Sequence, residues 1–142
     1  MLEQLRNALA VLDVKEGDVP PVVDFNLFFE GNAEEESIAP NGWGYGRPPI
    51  HELYSRFKTI ACRTDVHQIL VGLHHEWNDA EYADTYPPAE NVHIITSAGR
   101  EDVEQWIDGL GADGVVVGWA QGKPVNAPAP PPGDVVYSVC WD

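Results

Sequence analysis

The stretch that most limits the fold is residues 48–77, "PPIHELYSRFKTIACRTDVHQILVGLHHEW". Its first half carries apolar residues Ile50, Leu53, Tyr54, Phe57, Ile60 and Ala61 at the spacing of one helix face. The prolines in front are expected at a helix start. From residue 68 to 77 the period drops to two. Ile69, Val71, Leu73 and Trp77 fall on one side of a strand, and Leu70, Gly72, His74 and Glu76 on the other. A helix leading into a half-buried strand demands a mixed α and β domain.

The rest of the chain fits that frame. "NVHIITS" (91–97) predicts a second strand with Val92, Ile94 and Thr96 on one face. Val103, Trp106, Ile107 and Leu110 predict a helix, with Glu101, Asp102 and Glu104 near its positive end and Gly109 and Gly111 at its close. "GVVV" (114–117) suits a short extra strand, and "KPVNAPAPPPGD" (123–134) a stiff connector. "VVYSVCWD" predicts a last strand ending at Trp141 and Asp142. Leu2, Leu5, Leu9 and Leu12 predict an N-terminal helix over 2–13, stopped by Gly17 and Pro20-Pro21.

The first strand has two candidate positions. Residues 22–29 are β-branched and aromatic, yet Phe25, Phe28 and Phe29 also have helical spacing. The "SIAPN" step at 37–41 lies nearer the helix and needs a shorter connection. Either choice gives the order β-α-β-β-α-β, an α+β ferredoxin-like sandwich with two helices on one face of an antiparallel sheet. The other face is then free. The expectation is one domain over 1–142, with the helix at 2–13 added to a core at 22–142.

The chain holds 23 Asp and Glu against 8 Lys and Arg, for a net charge of −15. That field repels a phosphate backbone and an anionic membrane surface, and attracts a basic protein. No apolar run approaches the ~20 residues of a membrane span. The N-terminus lacks the pattern of a secretory signal. Cys62 and Cys140 are far apart and form no C-x-x-C pair, which suits a reducing compartment. A cytoplasmic bacterial protein is expected.

Catalytic motifs are scarce. The chain has no G-x-S-x-G and no H-E-x-x-H. "GLGADG" follows a helix, not a strand, so it is no dinucleotide loop. Arg63 beside Cys62 could activate the thiol, but no histidine is placed near it. The balance is against an enzyme, and no cofactor is implied.

Three groups remain. Glu34, Glu35 and Glu36 form an acidic cluster without the ligand rhythm of a calcium loop, which reads as a solvated turn. His74, Glu76 and His93 would share the open sheet face and could bind a metal or move a proton. Trp43, Tyr45 and Tyr82 lie in loops, where such aromatics anchor partners.

"FFEGNAEEESIAPN" (28–41), with "RTDVHQILVGLHHEW", "NVHIITSA" and a terminal "WD", resembles a family of small acidic uncharacterised bacterial proteins. Their pattern is F-F-[DE]-G-N, then acidic residues, then S-I-[AG]-x-N. The resemblance covers 22–142 and implies no catalytic residues. It leaves the N-terminal helix and "GWGYGR" as features of this chain.

The reading favoured is a non-enzymatic, immunity-protein-like module binding a basic partner through Trp43, Tyr45, Tyr82 and Glu34–Glu36. A ligand-binding or enzymatic use of the open face is the alternative. A third is a homodimer burying Leu70, Ile95 and Val136 on that face.

Overall fold

The computed structural model describes residues 2–141. Helix α1 spans Leu2–Ala10 and buries Leu5 and Leu9, with Leu2 and Leu12 packed at the margin of the same core. The leucine stripe is therefore core, and the helix closes three residues before the expected end at 13.

The ambiguous segment after it is both strand and helix. Strand β1 is Val22–Asp24 and helix α2 is Phe25–Phe29. The switch falls at Asp24, whose carboxylate accepts a 2.9 Å hydrogen bond from the Asn26 N–H and so caps the helix. Phe25, Phe28 and Phe29 then all turn into the core. The "SIAPN" alternative contributes only a single bridge, Ile38 to Ala89, followed by a 3-10 turn at Pro40–Gly42.

Helix α3, Ile50–Ala61, buries Ile50, Leu53, Phe57 and Ile60 as its period requires. Phe29 stacks on Tyr54 and Phe57, with ring centroids 5.6 and 6.1 Å apart. Strands β2 (Val66–Leu73) and β3 (Ala89–Thr96), helix α4 (Arg100–Trp106), and strands β4 (Gly114–Val117) and β5 (Val135–Cys140) complete the chain. Asp142, expected to close the last strand, lies outside the described residues. Among the described residues, no helix is long and apolar enough to cross a membrane.

The five strands are ordered β1-β2-β3-β5-β4, and every neighbouring pair is antiparallel. This corrects the ferredoxin-like expectation. In that order the last strand would lie beside the first. Here β5 sits between β3 and β4, and β1, only three residues long, pairs with the edge of β2.

The free face is the second correction. One face carries Ile69, Val71, Val92, Ile94 and Val139 into the main core against the helices. The other carries Val22, Leu70, Ile95 and Val136, all buried, with Trp119 and Ala127 packed against them. The cover is the chain's own segment 118–134. Asn126 accepts from the Val22 N–H at 2.9 Å and donates to the Val22 carbonyl at 2.7 Å, completing the edge of β1 as a neighbouring strand would. Ser138 Oγ donates to Gly118 O at 2.7 Å and accepts from Ala120 N at 3.1 Å. Leu70, Ile95 and Val136 are thus buried within one chain, so the face is covered, and none of the three is left free for a partner subunit or a ligand to bury.

Candidate functional site

The segment after α2 is shaped by short polar bonds. Gly31 has φ 75, a left-handed turn at no steric cost. Buried Asn32 accepts from the Glu34 N–H at 2.9 Å and donates to Ser37 Oγ at 3.0 Å. Ser37 Oγ donates in turn to Glu34 O at 2.7 Å. Asn32 and Ser37 therefore pin both ends of the acidic cluster between them.

The three glutamates have different tasks. Glu34 accepts from the Tyr86 N–H at 3.2 Å. Glu35 pairs with Arg47 and accepts from the Ile50 N–H at 2.9 Å, at the start of α3, where a carboxylate suits the helix dipole. Glu36 stays exposed. The expected solvated turn is half structural.

Arg47 is the organising residue of this region. Its side chain is fully buried and donates to the carbonyls of Glu35 and Ile38 at 2.7 and 2.8 Å. The Trp43 ring lies over the guanidinium, 4.6 Å from centroid to Cζ. Burial lowers the guanidinium pKa, and Glu35 opposes the shift.

These bonds build one wall of a depression of about 480 Å³. Glu34, Glu35, Glu36 and Trp43 line it on this side, and Tyr82 and Tyr86 on the other. The second wall is held from the N-terminal helix, where Arg6 donates to the carbonyls of Tyr82 and Thr85. Tyr86 is buried against Phe28 with centroids 6.1 Å apart. Burial, then Glu34, raises its phenol pKa, and Tyr82 is raised by burial and by Glu81, Glu76 and Asp79. Tyr45 does not line the depression and is 88% exposed. Arg6 and Arg47 escaped the sequence reading. The only signal for Arg47 was a lone charge in a run of Gly, aromatics and Pro.

The histidine group is not assembled as expected. β2 ends at Leu73, and 74–77 form a turn closed by a 2.9 Å bond from Trp77 N to His74 O. His74 and Glu76 thus have no place on a sheet face. His93 pairs in register with Leu70 and is buried on the face under segment 118–134. Its Nδ1 is 2.7 Å from Ser138 Oγ and its ring meets Trp119 edge-on at 4.9 Å. Burial lowers its pKa from 6.5 to about 4. A Cβ at Gly72 would stand 2.7 Å from His93 Nε2, so only glycine leaves room for the ring. His74 Nδ1 and Glu76 Oε1 are 3.6 Å apart, and the His75 ring lies 4.0 Å from that of His74. The donor atoms of His74, His75 and Glu76 lie within 4.8 Å of one another, as do those of Glu76, Asp79 and Glu81.

Neither thiol has a catalytic setting. Cys62 is exposed, and Arg63 beside it pairs with Asp65 at 3.0 Å and stacks on Trp106. Burial raises the Cys140 pKa, the direction of a less reactive thiol.

Fold and site together define an acidic α+β domain that carries a carboxylate- and aromatic-lined groove. The chain belongs to the uncharacterised protein YfbO family, whose model matches residues 1–139. The match takes in the N-terminal helix and the "GWGYGR" segment, both left outside the resemblance read from sequence. No curated protein and no solved structure gives a match.

Proposed function

We propose that the chain is a non-enzymatic binding module that takes a basic segment of a partner protein in the groove between residues 34–37, Trp43 and Tyr82. The observation that carries this reading is the convergence of Glu34, Glu36, Trp43 and Tyr82 on one depression, from loops some forty residues apart. Arg47 compensates Glu35, so Glu34 and Glu36 supply the negative charge at the groove. Aromatic faces beside carboxylates suit a lysine or arginine side chain by ion pairing and cation–π contact. The net charge of −15 would steer such a partner from a distance. A bacterial cytoplasmic chain of the immunity type, which blocks a basic toxin domain, fits this chemistry.

The test is capture of a binding partner at low and at raised salt, followed by competition with the Trp43→Ala and Glu36→Lys chains. The reading expects a basic partner, release at raised salt, and a loss of competition of about tenfold or more for Trp43→Ala. Binding that ignores salt, or that both substitutions leave unchanged, rejects it.

A further inference from the structure

We infer that the turn after β2 is a binding site for one transition-metal ion of the zinc class, held by His74, His75 and Glu76. None of the three donors lines the groove, although the depression beside them shares Tyr82 and Pro88 with it. Two imidazole nitrogens and a carboxylate are the donor set that suits Zn²⁺, Ni²⁺ or Cu²⁺, and imidazole disfavours Ca²⁺ and Mg²⁺.

Geometry supports the assignment. All three donor atoms lie within 4.8 Å of one another. His74 Nδ1 and Glu76 Oε1, 3.6 Å apart, already span close to one edge of a zinc tetrahedron, about 3.3 Å for bonds of about 2.05 Å. His74 Nδ1 accepts a 3.1 Å hydrogen bond from the Glu76 N–H, so it holds a lone pair, as a ligand nitrogen must. The ion takes over that lone pair from the amide. The His75 side chain is exposed, and its ring lies 4.0 Å from that of His74.

The turn is a fixed platform for these side chains. The His74 N–H donates to Pro88 O at 2.8 Å, and Trp77 packs against the main core. His74 and Glu76 also line a depression of about 340 Å³ with Asn41 and Glu90, which leaves room for a water or a further ligand at the fourth position. Asp79 and Glu81 lie beside Glu76 and add negative potential at the site.

The test is titration of the chelator-stripped full chain with zinc chloride against a chromophoric chelator, with Co²⁺ absorption as a second readout. One ion per chain and a tetrahedral Co²⁺ band are expected. His74→Ala and His75→Ala each weaken binding by about tenfold or more, since even outer partners of a metal ligand cost about 10–100-fold. His67→Gln, an exposed histidine elsewhere, leaves affinity unchanged. No saturable zinc binding overturns the assignment. So does binding that survives both His74→Ala and His75→Ala but falls with Asp79→Asn and Glu81→Gln.

Discussion

Arg47 and Glu35 form an ion pair in which the arginine side chain is fully buried and the carboxylate is 28% exposed. The pair joins the acidic cluster to the start of α3, because the same carboxylate oxygen accepts from Ile50 N. Removing the carboxylate strands a buried cation, which is far costlier than losing an exposed pair. Glu35→Ala is expected to destabilise the fold by about 3 kcal/mol in urea denaturation. Arg47→Lys should cost nearly as much, because an ammonium cannot serve two carbonyls and a carboxylate in the guanidinium's planar spread. A loss below about 1 kcal/mol for Glu35→Ala would mean the pair behaves as a surface pair.

The backbone around Arg47 is closed by a glycine far away in sequence. Gly111 has φ 72, and a Cβ there would lie 2.7 Å from Arg47 N and from Gly46 C and O. Gly133 has φ 88 with nothing within 4 Å of the same atom. Gly133→Ala should therefore cost only the left-handed penalty, about 1–2 kcal/mol. Gly111→Ala adds a clash with backbone that cannot rotate away, and is expected to lose at least about 2 kcal/mol more. Equal losses in parallel thermal melts would show that the approach of Gly111 to this loop is not tight.

These two contacts show why part of the fold was legible and part was not. α3 and the strands from 69 to 73 and 92 to 96 were readable because burial imposes period 3.6 on one and period 2 on the others. "HHEW" was misread as strand because polar residues carry no burial pattern to mark where the strand stops. Phe25, Phe28 and Phe29 fitted two periods, and only the Asp24 cap chose between them. Leu70, Ile95 and Val136 signalled a second apolar face, but the Pro-rich segment that covers it has no periodicity to reveal that it folds back. Residue type marked Trp43, Tyr82 and Glu34–Glu36. Their meeting in one groove depends on Arg6 and Arg47, whose long-range bonds to backbone carbonyls leave no trace in local sequence.

Ala39 is the only non-glycine with positive φ among the described residues, at φ 47 and ψ 52. It is buried, its N–H donates to Ala89 O at 3.2 Å, and Pro40 follows it. Glycine there relieves about 1–2 kcal/mol of left-handed strain but gives up a buried methyl worth about 0.8 kcal/mol and adds unfolded-state freedom. Ala39→Gly should therefore stay within about 1 kcal/mol of the parent in urea denaturation. A β-branched residue is an outlier at this φ and has no space, so Ala39→Val should lose more than about 2 kcal/mol. Comparable stability of the two variants would contradict the left-handed assignment.

His93 links acidity to stability. Its folded pKa of about 4 lies below the 6.5 of the free side chain because burial disfavours the imidazolium. Between those values the unfolded chain binds the proton and the folded chain does not. The contribution is therefore fully present above pH 6.5 and is lost as pH falls toward 4. The loss over that window is about 3 kcal/mol. His93→Gln lacks this titration, and it gives up the bond to Ser138 Oγ and the edge contact with Trp119 at any pH. The variant should therefore be less stable than the parent at pH 7, and the gap between them should narrow by about 3 kcal/mol on acidification to pH 4. Urea denaturation of both chains across that range measures the gap. A difference that stays constant with pH would show that His93 is protonated with equal ease in the folded and unfolded chain.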